Sequence, residues 1–156
     1  MSSQTFLQLD LVLHITGFTM MAGTVLAWFA VYRRLDKYIL VDKPRALTTL
    51  DSISSFPRLV GIGAALLITS GIAMVIIFKG TVAQMIWFKI KMVLVLLILL
   101  NGALILQRGG NKLKHLLQSS TPSNTAITVL KSRLNIANTI QLFFFLTVFI
   151  LSIFRF

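Results

Sequence analysis

The chain has 156 residues, of which 56% are hydrophobic and only 12% are charged, and it contains neither Cys nor Glu. A soluble domain carries roughly 25% charged residues, so the composition predicts an integral membrane protein. The net charge is +11, but the basic residues are sorted by loop, which is typical of membrane topology and argues against a nucleic-acid partner. Without cysteine, cofactor chemistry is left to His, Met, Lys, Asp and amide side chains.

Four apolar runs have about the length, roughly 20 residues, that crosses a hydrocarbon core about 30 Å thick. They are residues 11–32, 59–78, 82–107 and 134–154. We therefore predict an all-α integral membrane protein, residues 1–156 forming one domain with four transmembrane helices in an up-down antiparallel bundle. Small residues such as Gly17, Gly23, Gly61 and Gly63 are expected to let these helices approach closely.

The first span contains His14, and an ionisable group inside a membrane is costly unless it faces a partner. Asp10 precedes it by four residues and shares its helical face, so it could accept the Nδ1 proton and leave Nε2 free to bind a metal. The alternative is an interfacial histidine bonded to water or to a backbone carbonyl. Sequence spacing does not decide between the two.

The first long loop, from Arg33 to Pro57, is polar and predicts a short helix of its own. Pro57 fits the opening turn of the second membrane helix. The short turn at Gly80 and Thr81 predicts that the second and third spans are adjacent antiparallel neighbours.

The third span begins near two lysines, Lys89 and Lys91. If it began after them, the remaining apolar stretch to Gln107 would be about 24 Å long, too short to cross, so both lysines enter the membrane margin. They differ by about 200° around the helix, which predicts that Lys91 faces the bundle while Lys89 reaches outward to headgroups. The alternative is that both are interface anchors beside Trp87.

The second long loop is predicted to begin at Gly109-Gly110, a pair that breaks helices, and to continue as a mobile link through Ser119–Asn124. Its basic stretch, residues 108–115, indicates a contact with anionic lipid. Intramembrane amides on the third and fourth spans predict interhelical hydrogen bonds worth about 1 kcal/mol each. These amides are Asn101, Asn135, Asn138 and Gln141.

The basic residues are concentrated in the two long loops, which lie on one side of the predicted bundle. The other side carries Lys79 in its short loop and Arg155 near the C-terminus. The positive-inside rule therefore predicts cytoplasmic long loops and both termini outside, in a bacterial inner membrane.

Several of these residues resemble a known family. His14 in the first span, the stretch from Trp87 to Leu97 followed by Asn101-Gly, and the stretch from Arg133 to Thr139 are similar to HemJ-type protoporphyrinogen oxidases. That resemblance implies a haem b site involving His14 and Lys91. The chain departs from the family pattern at Lys89, where the family has a histidine, and at Asn138-Thr-Ile-Gln141, which lacks the acid and the proline of the family motif. The four-helix outline is also similar to copper-resistance D-like membrane proteins.

The leading hypothesis is a membrane-embedded b-type haem protein with a redox role, in which His14 is the metal ligand, Asp10 orients it, Lys91 is a second ligand or a propionate partner, and Trp87 lines the pocket. Its partners would be the lipid bilayer and either a membrane redox partner or a porphyrinogen. A homodimer sharing one haem between two His14 side chains is open. The alternatives are a small ion or metal transporter and an accessory subunit without haem.

Overall fold

A computed structural model describes residues 3–119 and 123–153. Within these ranges the regular structure is entirely helical. The α-helices are α1 (Ser3–Leu35), α2 (Lys43–Ser52), α3 (Phe56–Ile77), α4 (Ile86–Leu100), α5 (Arg108–Gln118) and α6 (Asn124–Ile153). A short 3₁₀ helix (Thr81–Gln84) follows α3, and a π-helical segment (Asn101–Gln107) joins α4 to α5.

Four of the helical segments are long and apolar enough to cross a membrane. They are Gln4–Leu35, Lys43–Ile77, Ile86–Gln118 and Asn124–Ile153. The prediction of an all-α protein with four transmembrane helices is therefore confirmed. The predicted end of the fourth span, at Phe154, lies outside the described residues.

The first loop folds as its sequence predicts. Its short helix, α2, begins after Asp42, whose carboxylate accepts a hydrogen bond from the Arg45 backbone N–H at 3.1 Å. Proline lies in the first turn of α3 as well as of α2. A proline is favoured there because the first amides of a helix have no intrahelical acceptor.

The α1 and α3 helices form the closest pair in the bundle because two glycines meet where they cross. A Cβ atom built on Gly17 would lie 2.7 Å from the Gly63 carbonyl oxygen, and one on Gly63 would lie 2.8 Å from the Gly17 carbonyl oxygen. The expectation of glycine packing holds at these two residues. It fails at Gly23 and Gly61, where an added Cβ atom would meet nothing within 4 Å.

The α4 helix packs mainly against α6, and it approaches α3 chiefly through the 3₁₀ turn and the π-helical segment. The predicted adjacency of the second and third spans therefore fails along most of α4. A short connection fixes only the joined helix ends, and α4 between the 3₁₀ turn and the π-helical segment packs on α6 instead of α3. Amide hydrogen bonds hold α4 to α6 instead: Gln141 Nε2 donates to the Ile98 carbonyl at 3.0 Å, and Asn101 Nδ2 donates to Gln141 Oε1 at 2.6 Å.

The helix of the third span does not break at Gly109-Gly110, as its sequence predicted, but continues through α5 to Gln118. Gly109 faces Leu134 so closely that an added Cβ atom would lie 2.6 Å from Leu134 Cδ2. Close packing of α5 on α6 thus accounts for a glycine that costs about 1 kcal/mol of helix propensity. The predicted link at Ser119–Asn124 falls partly on residues outside the described ranges.

The α2 and α5 helices cover one end of the bundle, which we call the α2–α5 end. Their apolar faces pack with the last turns of α1 and the first turns of α6 in one core cluster. Two ion pairs tie these elements together: Lys114 with Asp51, and Lys131 with Asp36 at 3.1 Å. The opposite end, where α1 begins and α3 turns into α4, carries His14 and is called the His14 end.

Candidate functional site

The half-buried His14 side chain on α1 reaches across to α3, where its Nδ1 lies 2.9 Å from Ser70 Oγ. Ser70 is only 3% exposed, and its hydroxyl also lies 2.6 Å from the Leu66 carbonyl oxygen. A hydroxyl has one proton, and the Leu66 carbonyl can only accept it, so Ser70 Oγ is left to accept from the imidazole Nδ1–H. In the neutral imidazole, a proton on Nδ1 leaves the lone pair on Nε2, which is then the acceptor or metal-ligating site of the ring.

The sequence spacing suggested that Asp10 could accept from Nδ1, but in the structure the Nδ1 contact is to Ser70. Asp10 lies on the same helix as His14, whereas Ser70 comes from the neighbouring helix, 56 positions further along the chain. The signal that could have revealed Ser70 is the polar break Thr69-Ser70 inside an otherwise apolar span. Its pairing with His14 depends on the rotation of α3 about its axis, which the sequence pattern does not specify.

The local sequence makes room for the imidazole. Residues 14, 17 and 21 follow one face of α1, and residues 63, 67 and 70 follow the facing side of α3. The glycine crossing at Gly17 and Gly63 brings these two faces together one to two turns from His14. Gly71 is under the ring, since a Cβ atom there would lie 3.5 Å from His14 Cε1.

Asp10 is 9% exposed, and its Oδ2 atom is buried without a hydrogen-bond partner among the described residues. It precedes His14 by one turn on the same helical face. Its negative charge acts on the His14 imidazole. Asp10 is therefore part of the electrostatic environment of His14, although it does not hold the ring through Nδ1.

Lys91 is half-buried on α4, and its positive charge also acts on the His14 imidazole, whereas Lys89 is exposed. The structure thus brings Asp10, His14 and Lys91 from α1 and α4 into one electrostatic cluster at the His14 end. This cluster and Ser70 together are called the His14 site. It combines one ring nitrogen that can ligate a metal, one carboxylate and one ammonium group.

Trp87 lies one turn before Lys91 on the same face of α4. Its indole Nε1–H donates to Met85 Sδ at 3.1 Å, and its ring meets Phe88 edge-on with centroids 6.1 Å apart. These contacts fix the indole at the start of α4. Its predicted place in a cofactor pocket stays a prediction.

A second group of polar side chains lies deeper in the bundle, between α4 and α6. Gln141, 1% exposed, donates through Nε2 to the Ile98 carbonyl and accepts through Oε1 from Asn101. Asn101 also donates to the Ala137 carbonyl at 3.0 Å. These bonds make Asn101 and Gln141 packing elements between helices, as predicted. The same prediction is wrong for Asn138, which is 1% exposed and has no hydrogen-bond partner for either amide atom among the described residues.

Comparisons of the chain with protein-family models, with characterised proteins and with solved structures give no match. The geometry of the His14 site is therefore the basis for a proposed function.

Proposed function

We propose that the protein is a membrane-embedded b-type haem protein with a redox role, in which His14 Nε2 is an axial ligand of the haem iron. The observation that carries this proposal is the hydrogen bond between His14 Nδ1 and Ser70 Oγ. Metal-ligating histidines almost always donate their other ring N–H to a fixed acceptor, which sets the tautomer and the ring orientation. His14 has such an acceptor on a neighbouring helix.

The donor set suits a haem better than a bare metal ion. Within residues 3–119 and 123–153, no three His, Cys, Asp or Glu side chains come together as a metal-binding group. A bare ion would therefore lack ligands, whereas a porphyrin brings its own equatorial nitrogens and needs only axial ligation from the protein. One imidazole on a half-buried side chain is sufficient for that purpose.

The other residues of the site would act on charge and orientation. Ser70 would hold the imidazole in the Nδ1–H tautomer, and Lys91 would be a second iron ligand or the partner of a propionate carboxylate. Asp10 would offset the positive charge of the site and thereby lower the reduction potential. A bound haem would supply one-electron exchange, while the protein sets its potential and its access.

The topology and partners form part of the same proposal. The two long basic loops would be cytoplasmic and the His14 end would be on the outer side of a bacterial inner membrane. The electron donor would then be a membrane redox partner or a porphyrinogen reaching the site from the bilayer. The resemblance to HemJ-type protoporphyrinogen oxidases supports the porphyrinogen as the first substrate to test.

The test is an optical spectrum of the detergent-purified protein, oxidised and then reduced with dithionite, after expression with added haem precursor. The wild type should show a stoichiometric Soret band and reduced α and β bands. His14→Ala should lose them. His115→Ala is the matched control, since His115 is the only other histidine and is exposed on α5.

Ser70→Ala tests the observation on which the proposal rests. It keeps the ligand but removes the Nδ1 acceptor, and outer-shell changes of this kind cost about 10- to 100-fold in metal affinity. We expect haem to dissociate faster from this variant, as measured by transfer to apomyoglobin. A colourless wild type, or a Soret band that survives His14→Ala, would overturn the proposal.

The buried and unpartnered Oδ2 atom of Asp10 favours a second candidate, a small ion or proton transporter. Buried intramembrane carboxylates beside a histidine and a lysine are typical of proton and ion pathways. This candidate predicts a colourless protein whose reconstituted vesicles show ion or proton flux. Asp10→Asn should abolish that flux while leaving the fold intact.

A further inference from the structure

A crevice at the α2–α5 end lies between α5 and α6 and is separate from the His14 site. Its volume is about 450 Å³. Its walls include apolar side chains on both helices and one cation from each helix. The lining includes Lys112, Leu116, Thr125, Val129, Leu130 and Arg133.

We propose that this crevice binds the phosphate headgroup of an anionic phospholipid. Lys112 and Arg133 are exposed, and within the described residues neither side chain forms an ion pair. The nearby carboxylates are already engaged, Asp36 with Lys131 and Asn135, and Asp51 with Lys114. The two cations are therefore available to an anion from outside the chain.

The two cations lie at the membrane depth at which lipid phosphates are found. Arg133 immediately precedes the apolar run of the fourth span, and Lys112 follows the end of the third apolar run by five residues, or about 7 Å along a helix. The interfacial layer of a bilayer is about 5 to 7 Å thick on each side of the hydrocarbon core. Basic pockets between membrane helices at this level suit acidic lipid headgroups.

The apolar walls distinguish this crevice from a site for free phosphate. Leu116, Val129 and Leu130 offer methyl groups to the carbon backbone of a headgroup, while the acyl chains would remain in the bilayer beside α6. An inorganic anion gains nothing from such walls. The crevice thus fits an amphiphilic anion already concentrated at the membrane surface.

The test compares retention of phosphatidylglycerol and phosphatidylcholine with identical acyl chains by native mass spectrometry of the full-length protein in detergent. Wild type should retain phosphatidylglycerol selectively. The double variant K112Q/R133Q should bind it about 30-fold more weakly, because each surface cation contributes roughly a factor of five. V129W, which fills the crevice without changing charge, should also bind more weakly.

The double variant R34Q/K37Q is the matched control, since it removes two exposed charges at the same end but outside the crevice. It should bind phosphatidylglycerol within about twofold of wild type. Equal losses of phosphatidylglycerol binding in K112Q/R133Q and R34Q/K37Q would overturn the proposal, because they would indicate that the lipid is attracted by the overall surface charge and not by the crevice. Displacement of the lipid by millimolar inorganic phosphate would also overturn it. Thermal unfolding of each variant checks that it folds. If K112Q/R133Q does not fold, V129W still tests whether the crevice binds the lipid.

Discussion

Replacing Gly17 with alanine should force α1 away from α3 and break the hydrogen bond that fixes His14. A Cβ atom at Gly17 would lie 2.7 Å from the Gly63 carbonyl oxygen and 2.8 Å from the Leu67 amide nitrogen. Both are backbone atoms, so no side-chain rotation can relieve the overlap. Ordinary van der Waals contacts begin at 3.4 Å, and the helices must therefore separate by about 0.7 Å.

A displacement of this size is small for packing but large for a hydrogen bond. It would lengthen the 2.9 Å distance from His14 Nδ1 to Ser70 Oγ to about 3.6 Å, which is beyond hydrogen-bonding range. Overpacking costs about 1–3 kcal/mol, and the better helix propensity of alanine returns about 1 kcal/mol. We therefore expect Gly17→Ala to lose up to about 2 kcal/mol of stability.

Two measurements test this prediction. Unfolding in detergent should show the loss of stability, and ¹⁵N NMR of histidine-labelled protein should show a changed Nδ1 signal for His14. Gly23→Ala and Gly61→Ala are matched controls, since an added Cβ atom at either glycine meets nothing within 4 Å. They should be neutral or slightly stabilising. A Gly17→Ala protein that is as stable as these controls, with an unchanged His14 signal, would refute the reasoning.

Five other substitutions, at four positions, give expected outcomes that separate the roles of the polar groups from the packing around them. Gln141→Leu should lower the unfolding midpoint and the free energy of unfolding, the latter by about 1–2 kcal/mol, because it leaves the Asn101 amide without its side-chain acceptor. Asn138→Leu should leave the midpoint unchanged or raise it, because neither amide atom of Asn138 has a partner among the described residues. Asp36→Asn should cost up to about 1 kcal/mol, and added salt should shrink the difference from wild type. Gly71→Ala should preserve the His14 ¹⁵N signal, since the new Cβ atom would make an ordinary 3.5 Å contact, whereas Gly71→Leu should displace the imidazole and shift that signal.

The number of spans and the helical class could be predicted from composition and apolar length alone. Membrane insertion constrains these features strongly, because every backbone amide must be bonded within its own helix. The short α2 helix and the position of Pro57 could also be predicted, since both depend on local capping chemistry. Predicting these features does not require knowing how the helices pack against one another.

The errors concern features that only tertiary contact decides. Gly109 looks like a helix terminator in the sequence, but in the fold it lets α5 pack against Leu134. Loop length suggested that the second and third spans pack together, although it constrains only their joined ends. Ser70 was missed for the same reason, because a serine in an apolar helix is ordinary until the rotation of its helix places it against His14.

Some buried polar groups of the bundle are bonded to one another, whereas others have buried atoms without a partner among the described residues. Of the second kind, Asn138 is a neutral amide on α6, whereas Asp10 is ionisable and lies beside His14. Gln141 and Asn101 satisfy each other and two backbone carbonyls, so their hydrogen-bonding capacity is used in holding α4 to α6. At the His14 site, by contrast, the Oδ2 atom of Asp10 is buried without a partner and the His14 tautomer leaves an unprotonated Nε2. Burying such groups without full compensation costs free energy, and that cost is typical of positions that meet a ligand or a proton. Ser70 and the contact between Gly17 and Gly63 fix the imidazole between α1 and α3. The packing of these two helices therefore orients the ring before that ligand or proton binds.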